Sequence, residues 1–322
     1  MSAYIGRRIL QGILVLFLVS FIAFIIFQYL GDPVMTLAGR YATQAQRAEV
    51  RKALGLDDPF YVQYFNFLKN ALQGNFGMSY VTRVPVIDLI AERLPASIEL
   101  AFVAESFAVI FGVSFGVFVS ANPKNIISKF LMTGSLFGVS LPTFLVGILL
   151  IYLFSIVLGI MPSSGRGETV TVLNFWRSGL LTLDGWKHVI LPAFTLGMFQ
   201  MALLFRITRG SMLEVLGAEY IRTAWAKGLK GKKVLFKHAL RNALIPVVTM
   251  IGLQFGQLIG FAIVTESIFQ WPGAGNLLLN SLYESDFPVV ATYVIIVALI
   301  VVMLNVIVDI SYAFLNPKIR YK

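Results

Sequence analysis

Apolar residues fall in six long runs, at about 9–30, 97–121, 130–158, 188–205, 244–265 and 289–315, separated by segments where polar residues return. An α-helix needs about 20 largely apolar residues to cross the hydrocarbon core of a bilayer, and each run approaches or exceeds that length. The first run follows Arg7 and Arg8. It is longer than the roughly 7–15 apolar residues of a secretory signal, and no small-x-small cleavage pattern precedes Gly31-Asp32-Pro33, so it reads as a retained first helix. The third run exceeds one straight span and leaves three readings open: a tilted helix, a helix kinked at Pro142, or two shorter re-entrant pieces. The fourth is short and interrupted by Pro192 and Gly197.

Two of the intervening segments are too long to be turns. Residues 31–96 predict a helix that starts at Thr43, runs through "QAQRAEVRKALG" and ends at Gly55. "PFYVQYFNFLKNALQG" predicts a second, amphipathic helix near the lipid headgroups, with Tyr61, Tyr64, Phe65 and Leu68 on one side. Residues 159–187, rich in Gly and Ser around "MPSSGRGE", read as an ordered loop or short interfacial pieces. No internal repeat or low-complexity tract is evident.

Composition supports a membrane protein: 57% of the 322 residues are hydrophobic, 13% are charged, and the mean hydropathy is +0.80. A soluble domain of this size needs more polar surface. With no cysteine there is no disulfide framework, thiolate metal site or cysteine nucleophile. The net charge of +10 comes without a basic arm interleaved with stacking aromatics, which argues against nucleic acid and for cytoplasmic loops and anionic lipid. With six spans and the N-terminus inside, segments 1–8, 122–129, 206–243 and 316–322 hold 16 of the 26 Lys and Arg, and only Glu214 and Glu219 as acids. Splitting the third run into two full spans would put 206–243 outside, against the positive-inside tendency. The chain therefore reads as an all-α polytopic membrane protein with six transmembrane helices and both termini cytoplasmic. Its parts are 1–30 (tail and first helix), 31–96 (extracytoplasmic) and 97–322 (a five-helix core with the cytoplasmic loop 206–243).

Within that loop, "EYIRTAWAKGLKGKKVLFKHALRNALIP" (219–246) stands apart. It is strongly basic, with Ile221, Trp225 and Leu229 recurring every four residues as one apolar ridge. Gly228 is placed to supply a left-handed C-terminal turn and Gly231 a second soft point. Helix then resumes, with Phe236, Leu240 and Leu244 again four apart. The small residues Ala224, Ala226 and Gly228 allow another surface close to the backbone, which suits docking into a groove of a soluble partner. A headgroup-binding amphipathic loop is the plainer alternative.

"RTAWAKGL", followed sixteen residues after Gly228 by "LIP", resembles the cytoplasmic loop of the inner-membrane permeases of binding-protein-dependent ABC importers. That loop is commonly written E-A-A, three residues, G, then I-x-L-P. Gly228 falls on its glycine, and Arg222, Thr223 and Ala224 on the E-A-A positions. The departure from glutamate at Arg222 matches the dipeptide/oligopeptide branch, where "YIRTA-A-KGL" is the usual form. "YIGRRILQGILVLFLVSFIAF" with "GDP", "PVIDLIAERLPASIELA", "MPSSGRG", "HVILPAFTLG", "TESIFQWPGAGNLL" and "NPKIRY" extend the resemblance, in order, over nearly the whole chain. The chain is identified as a member of the B-type permease group of peptide importers, with the type I ABC importer permease fold. The resemblance implies a bacterial inner-membrane subunit that pairs with a second homologous permease, two cytoplasmic ABC ATPases and an extracytoplasmic binding protein. It implies a coupling helix formed by Tyr220, Ile221, Arg222, Thr223, Ala224, Trp225, Ala226, Lys227, Gly228 and Leu229. It also implies that ATP and Mg are bound by the partner ATPases and that this chain carries no cofactor. Consistently, no G-x-x-x-x-G-K-[ST] loop is present.

Several polar residues sit inside the spans. Glu105 lies mid-span, where an unpaired carboxylate costs a few kcal/mol or more, about +2.5 upward. A contact to a Ser, Asn or Arg of a neighbouring subunit is the preferred account of it, and a group on the translocation path the alternative. Ser140, Pro142, Gln200, Gln254 and Gln257 are further candidates for that path, since polar groups avoid lipid. Glu266 is expected to accept backbone amides near "WPGAG", and Asp309, near the inner end of the last span, to anchor a polar contact with the cytoplasmic helices. His188 and His238 fall in opposite compartments, so no metal site is expected, and no nucleophile–base pairing marks a catalytic one. The function expected is passage of di- or oligopeptides, or peptide-like solutes. The same architecture could serve nickel chelates, glutathione, antimicrobial peptides or oligosaccharides. An ATPase-independent secondary transporter is disfavoured by the absence of inverted repeats.

Overall fold

The computed structural model describes residues 2–26, 28, 34, 38, 42–53, 55–173 and 176–315. Gly31-Asp32-Pro33, the last residues of the first apolar run and the terminal "NPKIRY" lie outside these. The order is α1 (Ser2–Ile25), α2 (Gln44–Ala53), α3 (Phe60–Leu72), α4 (Val86–Ala121), α5 (Ile126–Ser140) and α6 (Thr143–Leu150), continued by wider π-helical turns over Ile151–Val157. There follow β1 (Val170–Leu173), β2 (Trp176–Ser178), α7 (Leu183–Leu216), α8 (Glu219–Ala226), α9 (Gly231–Ile268), α10 (Ala274–Tyr283) and α11 (Phe287–Leu315). Among the described residues, α1, α4, α7, α9 and α11 are each long and apolar enough to cross a membrane. The pair α5–α6 makes a sixth if it counts as one broken span.

The third apolar run breaks where its proline stands. Leu141 is extended, as a residue before proline prefers, and α5 and α6 meet at 111°. The fourth run is instead longer than expected. α7 continues through Pro192 and Gly197 to Leu216, so the loop drawn at 206–243 begins inside a helix and gives way to α9 at Gly231. A proline removes one backbone hydrogen bond, a loss that packing on both sides outweighs here. The paired strands β1 and β2 were not anticipated in the 159–187 loop, and they interrupt an otherwise helical chain.

The chain divides into two compact units. One comprises Met1–Pro95, Leu173–Trp176 and Pro272–Lys322. In it α1 and α11 run antiparallel, with Gly12 against Val302 and Arg8 Nε 3.1 Å from the Asp309 carboxylate. Asp309 thus makes a polar contact as expected, but with Arg8 of the first helix and not with the cytoplasmic helices. α3 lies along α1 through Phe60, Tyr64 and Phe67, which meet Phe17, Phe21 and Phe24 edge-on or tilted. The Tyr64 and Ser20 hydroxyls are 2.9 Å apart. The face expected from the sequence included Tyr61 and Phe65, but both are exposed. The packed stripe is set by the aromatics of α1, rotated from the one that hydrophobicity alone suggested. α2 is bounded as predicted. Thr43 and Gln46 exchange backbone-to-side-chain bonds as a capping box, and Gly55 closes the helix at φ +65°.

The second unit comprises Ala96–Val172 and Arg177–Trp271, and α7 is its axis. α4 runs parallel to α7 at backbone contact. A Cβ on Gly197 would lie 2.5 Å from the Ala104 carbonyl oxygen, one on Gly112 2.8 Å from that of Met201, and one on Gly116 2.6 Å from Thr208 Cβ. On the inner stretch of this seam α9 joins, with Ala108, Leu204 and Val247 in one buried cluster.

Gly116→Leu and Gly197→Leu are expected to destabilise by at least the ~1–3 kcal/mol of core overpacking, because backbone cannot yield as a side chain does. Gly210, also on α7, has open space around it, and Gly210→Ala is expected to be neutral or to stabilise by up to ~1 kcal/mol. Thermal unfolding of the detergent-solubilised protein reads both, and equal midpoints for all three would refute the tight seam.

Candidate functional site

α8 is held from one side only. Ile221 and Ala224, three apart, are buried in a cluster with Val117 of α4, Met212 of α7, and Val234, Ala239 and Ala243 of α9. The other positions, Tyr220, Arg222, Thr223, Trp225, Ala226 and Lys227, are exposed. Of the ridge expected along Ile221, Trp225 and Leu229, Ile221 is buried and Leu229 half-buried against the same cluster, while Trp225 turns outward. Trp225 is 52% exposed, its ring lying by Gly231, where a Cβ would come within 3.2 Å of it. Ala224 takes the inward place because the cluster leaves room there for a methyl group and not for an indole.

The helix ends as its glycine dictates. Gly228 has φ +70°, its N–H donates to the Trp225 carbonyl at 2.9 Å, and that of Leu229 to Ala224 at 3.4 Å. This is the paired arrangement of a Schellman turn. Arg222 reaches back to Glu219 at 3.6 Å, an exposed pair that adds little stability. Asn242 of α9 donates to the Tyr220 hydroxyl at 2.9 Å, a second tether between the two elements. Immediately after α8, the first turns of α9 are π-helical over Val234–Leu240.

The six polar residues singled out for a path do not come together. Glu105, Gln200 and Gln254 are buried in the α4–α7–α9 core. Ser140 and Pro142 are exposed at the α5–α6 break, and Gln257, one turn on from Gln254, is exposed as well. Both Glu105 carboxylate oxygens, Gln200 Oε1, and Gln254 Oε1 and Nε2 lack a hydrogen-bond partner among the described residues.

A second polar cluster closes the other end of this unit. Arg166, from the Gly-rich loop, donates through Nη2 to Glu99 Oε2 at 2.6 Å and to the Arg177 carbonyl at 2.5 Å. The Gly179 N–H also reaches Glu99 Oε2, at 3.3 Å. The Arg166 guanidinium lies 6.0 Å from the Trp271 ring centroid, and Trp271 Nε1 donates to the Ala96 carbonyl at 3.0 Å. Glu266, the expected acceptor beside "WPGAG", accepts the Ser97 hydroxyl at 2.5 Å.

With this geometry in view, comparison with known proteins is decisive. Residues 109–321 match the family described as binding-protein-dependent transport system inner membrane component, and residues 1–101 match its N-terminal membrane component. The chain belongs to this family. The glutathione transport system permease protein GsiC of Escherichia coli (strain K12) is 41% identical over 323 residues, covering 100% of both chains. The GsiC protein of Shigella dysenteriae serotype 1 (strain Sd197) has the same identity and coverage. The fold is that of type I ABC importer permeases. A chain from the inward-facing MetNI methionine ABC transporter superposes with a TM-score of 0.55 at 16% identity, covering 71% of this chain and 96% of that one.

The permease is thus an inner-membrane subunit of an ABC importer. Its Glu99–Arg166 ion pair escaped the sequence reading: the two are 67 positions apart, and the stretches that hold them, "PVIDLIAERLPASIELA" and "MPSSGRG", point to the family but not to this contact. The available signal was a lone arginine in an otherwise small-residue loop. Both side chains are at least nine-tenths buried. Arg166→Met is expected to cost ~3–5 kcal/mol by stranding the Glu99 charge, and adding Glu99→Gln to restore much of that loss. Thermal unfolding of the single and double variants checks it; equal losses would mean that the pair is not coupled. Gly228→Ala, strained at positive φ but unobstructed, is expected to cost ~1–2 kcal/mol, read in the same assay.

Proposed function

We propose that this permease and a second, homologous one form the translocation path of an ATP-driven importer for di- or oligopeptides or peptide-like solutes delivered by an extracytoplasmic binding protein. Six spans, with α5–α6 as a broken third, put both termini and loop 206–243 in the cytoplasm. That arrangement agrees with the concentration of Lys and Arg in the inner segments. Segment 31–96 is then extracytoplasmic, and 97–322 forms the five-helix core. Two cytoplasmic ATPases bind ATP and Mg; this chain supplies no nucleotide site and no catalytic residue. Full-length likeness to permeases named for glutathione, itself a tripeptide, supports cargo of this size and chemistry.

The observation that carries the proposal is the mounting of α8. Its exposed face, Tyr220 to Gly228 apart from the buried Ile221 and Ala224, is free to seat in a cleft of an ATPase. Those two buried side chains meet α4, α7 and α9 together. A displacement of α8 is passed to three spans at once, since packed cores transmit strain. Closure of the ATPases would thereby rock the spans between inward- and outward-facing states.

Purification from the native membrane in mild detergent, followed by mass spectrometry, is expected to recover a second permease and two P-loop ATPases. Recovery of the chain alone, transporting without nucleotide, would overturn the reading. Gly228→Trp places a bulky strained residue at the end of α8, and in proteoliposomes it is expected to cut solute uptake by about tenfold or more while ATP is still hydrolysed. Uptake at the wild-type rate would refute the coupling role.

A further inference from the structure

Glu105, Gln200 and Gln254 are 6%, 5% and 2% exposed, and together they present four acceptor oxygens without a donor among the described residues. They also lie at similar levels. On α4, Glu105 lies between Ala104, which meets Gly197, and Ala108, which clusters with Leu204. On α7, Gln200 lies between those same contacts, three residues after Gly197 and four before Leu204. These brackets span about 6 Å on α4 and about 10 Å on α7, and they place Glu105 and Gln200 within about one turn of each other along the pair. On α9, Val247 shares the Ala108–Leu204 cluster at one end, while at the other Gly147 of α6 touches both Thr195 and Ile268. α9 thus runs antiparallel to α7, and the buried Gln254 lies two turns beyond Val247, about 10 Å along α9 from the Ala108–Leu204 cluster and in the direction in which Gln200 follows on α7.

Such a group is costly as it stands. A buried carboxylate without a partner is stable only if a proton or a cation comes to it, and buried amide oxygens add their own penalty. The set is rich in acceptors, has Gln254 Nε2 as a donor, and carries one negative charge. It matches a small cation with several N–H donors, the chemistry of a primary ammonium. A metal ion fits poorly, because one carboxylate and two amides are few hard ligands. The cation has to be small and mobile, since the carboxylate is enclosed by this chain's own helices and not turned to an outer face. The seam around it closes through Gly112, Gly116 and Gly197, where backbone meets backbone or a small side chain.

We propose that Glu105, with the amide oxygens of Gln200 and Gln254, forms the subsite that receives the protonated amino group of a peptide-like solute in transit. This rests on the cargo reading above. The subsite is closed in the present conformation and opens when α4 and α7 separate, so the ammonium exchanges water for the carboxylate only during the transport cycle.

The test uses the assembled importer in proteoliposomes with its binding protein. Uptake of glutathione and of trialanine is compared with that of their N-acetylated forms, each rate normalised to binding-protein occupancy. Wild type is expected to favour the free amine by about tenfold or more, as loss of a charge-assisted contact implies. Glu105→Gln is expected to bring that ratio close to one. If Glu105→Gln fails to assemble, Gln254→Leu carries the same comparison, with a smaller fall expected. A ratio unchanged in the variant, or equal uptake of both forms by wild type, overturns the subsite while leaving peptide transport standing. Wild type that drives ATP-dependent uptake of neither peptide overturns the cargo reading and the subsite with it. Loss of the second permease from a Glu105→Gln preparation, with the Gln254→Leu ratio at the wild-type value, overturns the subsite in favour of an inter-subunit ion pair.

Discussion

The contact between α4 and α7 is the constraint on which the second unit depends. In lipid there is little hydrophobic gain in bringing two helices together, so association relies on close van der Waals contact. Gly112, Gly116 and Gly197 supply it by leaving out the one atom that would hold the backbones apart. A tight parallel pair then offers α9 a groove along Leu204 and Ala108, and the three helices define a core. The same closeness puts Glu105 and Gln200 where neither water nor lipid reaches them. The polar chemistry of the span and its packing are therefore one fact seen from two sides.

The two ends of this core are finished differently. At the Gly-rich loop, Arg166 is clamped by Glu99, the Arg177 carbonyl and the face of Trp271, while Glu266 and Ser97 join α9 to α4 beside it. A buried ion pair is worth keeping only where its remaining hydrogen bonds are met, and carbonyl, amide and aromatic face come close to meeting them here. At the other end α8 hangs from Ile221 and Ala224 and shows everything else to solvent. A short helix with so little buried surface has little stability of its own. What keeps it in place is the Schellman turn at Gly228 and the packing of its two anchors, an arrangement that leaves its broad outer face available to another surface.

Much of the local structure was legible from residues alone, wherever one side chain or one glycine decides a backbone. Thr43 and Gln46 mark the start of α2, and Gly55 and Gly228 stop their helices; at Pro142 the residues alone left a tilted helix, a kinked one and two re-entrant pieces open, and the structure shows a 111° bend. Faces were read less well. The Ile221–Trp225–Leu229 ridge and the Tyr61–Phe65 side of α3 follow from spacing, yet Ala224 goes in where Trp225 turns out, and it is Phe60, Tyr64 and Phe67 that meet the aromatics of α1. Hydrophobic spacing says that a helix has an apolar side; the shape of the neighbour decides which residues of it go in. Pro192 and Gly197 looked like interruptions because, without α4 beside them, nothing marks Gly197 as a contact instead of a weakness.

By itself the sequence determined that the chain is membrane-embedded, how many apolar runs it has, where the basic loop lies and which helix stops at Gly228. Each of these depends on composition or on dihedral preferences that one or a few neighbouring residues carry. Tertiary structure alone decided that α7 runs unbroken, that Glu99 meets Arg166 across 67 positions, and that Glu105, Gln200 and Gln254 are buried while Ser140, Pro142 and Gln257 are exposed. Those are relations between distant residues. They exist only once helices have chosen their partners, a choice made by backbone distance and shape that no local pattern encodes.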